Sequence, residues 1–165
     1  MKEKWLALGN DFTITDERKE PLYYVDGRVF SLGDKLSFQD MNGRELAFIR
    51  QRLLSWGPTY EVTSEGQLVA TVRKKIFTFF HCKFSVDVPG PDDLEARGDF
   101  FDHEYQFQLR GQPVAEVSKK WIAWKDTYAI DVSVEANPVL ILCCVVVIDL
   151  CCHESGTAGI NTHQS

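Results

Sequence analysis

The sequence predicts a mainly β protein: a closed antiparallel β-barrel around a central hydrophobic C-terminal α-helix. Three observations predict it. Short strand-like segments bounded by Gly, Asp or Asn fill most of the chain before residue 135. A Gly-led motif recurs three times at meander spacing. A run close to the C-terminus, NPVLILCCVVVIDLCCHE (137–154), has no charged or polar side chain from Pro138 to Ile148.

The segments FTITDE (12–17), LYYVDG (22–27), KLSFQD (35–40), TYEVTSEG (59–66), KFSVDV (83–88), YQFQLRG (105–111) and TYAIDVSV (127–134) read as strands. They alternate or carry aromatic and β-branched residues, and no long helical period precedes residue 135. Between them lie the repeats RELAFIRQRLLSW (44–56), QLVATVRKKIFTF (67–79) and QPVAEVSKKWIAW (112–124), each directly after Gly43, Gly66 or Gly111. Glycine enters positive φ without the Cβ penalty, so each repeat starts on a hairpin turn. Strand alternation places Ala47/Ile49, Ala70/Val72 and Ala115/Val117 inward, with Arg50/Arg52, Arg73/Lys75 and Ser118/Lys120 on the other face. Small inward alanines imply a bulky neighbour inside the wall. Antiparallel meanders that close on themselves also remove exposed sheet edges.

The apolar run is predicted to be a helix over 138–152. Asn137 is a good N-cap, and Pro138 suits the first helical position. A stretch of this length exceeds a typical strand of about 5–6 residues and as a helix would measure about 22 Å. A transmembrane helix needs roughly 20 apolar residues, and this run meets Asp149 too early. A helix apolar all round must be buried all round, which a barrel interior provides.

The 165 residues suit one domain, with 44% hydrophobic and 25% charged residues. The formal net charge of −6 argues against a general nucleic-acid binder, so no nucleic acid is expected. The N-terminus MKEKWLALGNDF has no apolar run of signal-peptide length. Of the 5 cysteines, four lie as adjacent pairs in the apolar run, which is no disulfide framework. The chain is therefore read as cytoplasmic with reduced thiols.

An ordered set of motifs resembles the LURP-one-related family, within the Tubby C-terminal-like superfamily that includes phospholipid scramblases. The motifs are YYVDGRVFSLGDKLSFQD (23–40), NGRELAFIRQRLLSWGPTYEV (42–62), VATVRKK (69–75), HEYQFQL (103–109), VAEVSKKWIAWKDTYAIDV (114–132) and IDLCCHE (148–154). The resemblance implies about 12 strands threaded by the C-terminal helix, a count the residue pattern alone does not give. The domain is expected over 1–154, with a flexible tail over 155–165. Tubby domains bind phosphoinositide headgroups through basic residues outside the barrel. The Tubby headgroup motif is not matched residue by residue, so the resemblance transfers no binding residue.

The residues themselves offer a basic series: Arg50, Arg52, Arg73, Lys74, Lys75, Lys119 and Lys120. Cations on adjacent strands can grip phosphate by charge and bidentate hydrogen bonds. Trp56, Trp121 and Trp124 lie near them in sequence and suit a membrane interface. The competing reading is a solvated barrel exterior. Cys143, Cys144, Cys151, Cys152 and His153 are weighed as a metal cluster and read as core packing, because adjacent helical cysteines point about 100° apart and cannot readily share one metal; no metal or cofactor is expected. The acidic stretch PDDLEARGDFFDHE (91–104) lacks an EF-hand pattern and reads as loop and turn. No nucleophile elbow, P-loop or HExxH is present, and neither His81/Cys82/Asp87 nor Asp102/His103/Glu104 forms a catalytic pattern, so no enzyme is expected. Asp149 is placed near the barrel mouth as a hydrogen-bond acceptor, because an unpaired buried carboxylate is costly.

These residues fit two functional classes. The first is a non-enzymatic module, cytoplasmic or peripheral at the membrane, that captures anionic phospholipid. The second is a protein-interaction or stress-associated scaffold with no lipid affinity. A third, a scramblase-like protein that inserts its C-terminal helix, requires that helix to leave the barrel.

Overall fold

The computed structural model describes residues 3–8, 12–27, 33–78, 81–119 and 127–157. Among these, the chain forms β1 (Glu3–Leu8), β2 (Phe12–Thr15), β3 (Pro21–Gly27), β4 (Lys35–Asp40), β5 (Glu45–Gln51) and β6 (Thr59–Ser64). It continues through β7 (Gln67–Thr78), β8 (His81–Asp87), β9 (Leu94–Asp99), β10 (Glu104–Leu109), β11 (Gln112–Ser118) and β12 (Thr127–Val132) to α1 (Pro138–Thr157). The protein is therefore mainly β, one antiparallel sheet with a single helix at the C-terminal end. Sheet order follows chain order. β1 pairs with β12 from Glu3–Val132 to Leu8–Thr127, and touches β2 through the single pair Leu6–Thr15.

The threefold repeat has one structural meaning. The predicted turn glycines share nearly one backbone angle: φ is +78° at Gly43, +77° at Gly66 and +79° at Gly111. Glu65 and Arg110 precede two of them with φ of +51° each, so those hairpins carry consecutive positive-φ residues and twist with their strands. Beyond each turn, Ala47, Ala70 and Ala115 lie opposite Phe38, Val62 and Phe107. In all three hairpins the register shifts beside that pair, a bulge that sharpens twist and curvature. The alanines are buried. Each small side chain thus meets a larger one across the strand pair, where the bulge brings the wall inward.

Helix α1 fills the space that this curvature makes. Asn137 caps it, with its Oδ1 accepting from the Leu140 N–H at 3.2 Å and its carbonyl accepting from the Ile141 N–H at 3.1 Å. Ile141 through Asp149 are all buried. A helix with consecutive buried residues has no solvent face, so the sheet must wrap it. Ile141, Leu142, Val147 and Ile148 pack with Val25, Ile49, Val62 and Phe84 from the strands in one core. The helix ends at Thr157 rather than 152. Residues 155–157, expected as the start of a tail, continue it, and 158–165 lie outside the described residues.

Two strands are not apparent from the sequence. β1 lies in the N-terminal stretch considered only as a possible leader. β9 lies in the acidic stretch expected as loop and turn. Its sequence LEARGD is charged, yet Leu94 and Ala96 alternate inward while Glu95 stays partly exposed and Arg97 faces solvent.

Candidate functional site

The basic series divides between the two sides of the wall. Arg50, Arg52, Arg73 and Lys75 are exposed, as predicted. Arg50 donates to Glu61 at 2.7 Å and Arg52 lies 3.6 Å from the other oxygen of the same carboxylate. Arg73 pairs with Asp87 across β7 and β8. Lys74 does not belong to the outer row. It falls on the inward parity of Ala70 and Val72, and its Nζ donates to the Cys151 carbonyl of α1 at 2.9 Å. Counting by two from Ala70 would have placed it there. Ser118, expected outside, is buried and donates to Glu104 at 3.0 Å. Lys119 is half-buried, its backbone N–H held by Glu104 at 3.0 Å. Lys120, Trp121 and Trp124 lie outside the described residues.

Lys74 therefore ties the wall to the helix, a structural role. Lys74→Met is expected to lower stability by about 1 kcal/mol, the net worth of one hydrogen bond, read as a shifted urea midpoint. An unchanged midpoint would remove Lys74 from helix anchoring.

Outside, β7 to β10 frame a groove of about 440 Å³ whose walls include Lys75, Lys83, Ser85, Glu95, Arg97 and Arg110. Lys75 stands directly opposite Lys83 in the β7–β8 register. Lys83 lies 3.5 Å from Glu95, which also accepts from Arg97 at 2.6 Å. The Arg97 hydrogen bond, reinforced by its charge and that of Lys83, holds the Glu95 carboxyl below its usual range. Arg110 pairs with Asp92 at the groove's edge. The acidic stretch thus supplies counter-ions to the wall. It also supplies turns, since Asp99 accepts from the N–H groups of Phe101 and Asp102 at 3.1 Å each.

Inside, a polar cluster surrounds the late turns of α1. Asp149 is 4% exposed and accepts a hydrogen bond from the Tyr128 hydroxyl. His103 Nε2 stands 3.2 Å from the other carboxylate oxygen, and its ring stacks on Tyr128 with centroids 4.6 Å apart. His103 reaches this position from a turn at φ +54°. Asp149 therefore accepts hydrogen bonds, as expected, but from behind the wall. His103 Nδ1 and the Tyr105 hydroxyl are buried with no hydrogen-bond partner among the described residues. Burial, with the Asp149 charge second, pushes the Tyr105 and Tyr128 phenols well up. The partners of Asp149 are not visible in the sequence, because His103 and Tyr128 lie on distant segments.

Cys143, Cys144 and Cys151 are buried and Cys152 is half-buried, so these residues pack in the core. Burial pushes the Cys143 thiol well up and the Cys144 thiol to about 12. No group of three or more metal-ligating side chains occurs among the described residues. Among them, too, no helix is long and apolar enough to cross a membrane.

An antiparallel sheet wrapped around its own C-terminal helix, with its polar cluster inside and a charged wall outside, defines a β-rich module organised on an internal helix. The LURP-one-related family model matches residues 1–149, and the chain belongs to that family. It is 33% identical over 150 residues to the uncharacterized protein YxjI of Bacillus subtilis (strain 168), covering 91% of this chain and 90% of that protein. A solved X-ray structure of an Arabidopsis thaliana protein shares the fold, with a TM-score of 0.70 at 20% identity over 90% of both chains.

Proposed function

We propose that the sheet closes as a barrel at the β1–β2 seam, and that the domain is a non-enzymatic cytoplasmic module whose outer wall captures anionic phospholipid headgroups. The observation that carries the reading is Lys75 opposite Lys83 on the groove. Like charges directly across a strand pair destabilise a sheet. A phosphate between them would turn that repulsion into attraction. Lys35 opposite Arg50 repeats the arrangement on β4 and β5. The polar cluster supports a non-enzymatic reading, since His103 and Asp149 meet behind the wall and neither lines the groove.

Each cation close to an anionic surface contributes about 1 kcal/mol, and salt screens the attraction beyond a Debye length. The protein is therefore expected to co-sediment with phosphatidylserine vesicles, less so as ionic strength rises. Lys75→Glu/Lys83→Glu is expected to weaken that partition at least about tenfold, since two reversed charges at about 1 kcal/mol or more each exceed 1.4 kcal/mol. Partition that ignores both salt and charge reversal would reject electrostatic capture.

A protein-interaction scaffold is the second reading. It is favoured by the carboxylates spread among the outer cations, since Glu61, Asp87, Asp92 and Glu95 each hold at least one. A mixed-charge wall suits a partner surface of complementary pattern. Vesicle partition that is absent at every salt concentration would favour this reading.

A further inference from the structure

The loop between β5 and β6 carries an exposed apolar tip that nothing among the described residues explains. Leu53 is 57% exposed, Leu54 97% and Trp56 fully exposed. Large apolar side chains held in water are costly, and Trp56 alone presents a ring surface of the size that dominates binding interfaces.

The loop is not a loose connection. The Ser55 hydroxyl lies 3.0 Å from the Arg52 carbonyl and 2.8 Å from the Gly57 carbonyl, bracing the loop from both ends. Gly57 turns the chain at φ +85°. The Arg52 N–H bonds the Thr59 carbonyl at 2.8 Å, closing the base. The Pro58 carbonyl accepts from the Lys74 N–H at 3.1 Å, which docks the loop on β7 beside Lys75. A braced backbone thus holds Leu54 and Trp56 outward.

We propose that Leu54 and Trp56 are a membrane anchor that enters the interfacial layer of an anionic bilayer while the neighbouring cations engage its headgroups. This rests on the proposed capture of headgroups by the outer wall. The occupant is argued from charge and continuity. The loop sequence RLLSWGP (52–58) contains no acid. Its base carries Arg50 and Arg52 on the single carboxylate of Glu61, so the cations outnumber their counter-ion there. Arg73 lies opposite Thr59 at the other end of the loop. An apolar tip within a cationic collar matches a surface that is anionic outside and apolar a few ångströms deeper, and tryptophan favours that boundary. Capture by charge and anchoring by insertion then act in sequence, the first sensitive to salt and the second not.

The full chain is tested with vesicles of phosphatidylserine and phosphatidylcholine, some carrying brominated acyl chains. Trp56→Phe serves as the spectroscopic blank for the remaining tryptophans. The wild-type fluorescence in excess of Trp56→Phe is expected to shift blue and to be quenched by the brominated chains. Leu54→Ser/Trp56→Ser is expected to weaken partition about tenfold and to abolish the part that persists at high salt. Both side chains are exposed, so an unchanged unfolding midpoint checks that the variants fold. Salt-sensitive wild-type partition with no quenching at Trp56 and no loss in the double variant overturns the anchor and leaves the headgroup reading standing. Absence of wild-type partition overturns both, and would assign the tip to a protein partner.

Discussion

Gly98→Ala is expected to destabilise the fold by about 2–6 kcal/mol, combining backbone strain of about 1–3 kcal/mol with steric overlap of similar cost. Gly98 sits within β9 at φ +140°, a conformation that L side chains rarely adopt. A Cβ there would lie 2.6 Å from the Tyr105 Cα and closer still to the Glu104 carbonyl oxygen. Both obstacles are backbone of the paired strand, so neither can rotate away. The damage would reach the turn after β9. There Phe100 points inward against Phe84 and Tyr105, with ring centroids 4.9 Å from each. The same turn then delivers His103 to Asp149. Pushing β9 from β10 would disturb this aromatic cluster and the polar one together. Gly111→Ala is the matched control. It too has positive φ, +79°, but open space around the added methyl, so only left-handed strain of about 1–2 kcal/mol applies. Urea unfolding of both variants separates the two contributions. Equal losses at the two positions would contradict the steric argument.

How much of this is legible in the sequence depends on the range of the interactions involved. The repeat can be read because its signals are local: Gly43, Gly66 and Gly111 precede fixed patterns, and the period-two placement of Ala47, Ala70 and Ala115 comes from strand geometry. The buried helix is legible because Asn137 and Pro138 mark its start and no polar face offers an alternative to burial. β9 escapes notice because Glu95, Arg97 and Asp99 resemble a solvated loop, and only Leu94 and Ala96 mark the inward face. Lys74 is misplaced when Arg73, Lys74 and Lys75 are read as one charged run, since adjacent residues on a strand point opposite ways. The bond between Tyr128 and Asp149, and the approach of His103, depend on strand pairing across the chain. The sequence shows that Asp149 needs partners, but not which residues supply them. The exposed tip is legible only in part: Trp56 is singled out with Trp121 and Trp124 as suited to a membrane interface, but Leu54 joins it only once the chain is seen to leave the sheet at Gln51.

Alkaline pH is expected to destabilise this protein strongly. Four buried groups with protons to lose lie on or beside α1: the thiols of Cys143 and Cys144 and the phenols of Tyr105 and Tyr128. Burial raises each of them in the fold, with Cys144 reaching about 12 and the phenols also raised by Asp149. In the unfolded chain, thiols ionise near about 8.5–9 and phenols near about 10. Above those values the unfolded chain has released protons that the fold still holds. Unfolding then becomes more favourable by about 1.4 kcal/mol per pH unit for each such group. The stabilisation is whole below about pH 8.5 and declines as pH rises toward the folded values, the thiols acting first and the phenols joining near about pH 10. Between about pH 9 and 11 Cys144 alone should account for a loss of about 2–3 kcal/mol, a large share of the stability of a domain this size, and the other three groups act in the same direction. Urea midpoints measured across that range under reducing conditions test this, and Cys143→Ala/Cys144→Ala should flatten the early part of the decline. A midpoint that stays level from about pH 8 to 10.5 would mean that these thiols and phenols reach water in the folded protein. The enclosure of α1 by the sheet, on which the placement of the outer cations and the apolar tip depends, would then be wrong.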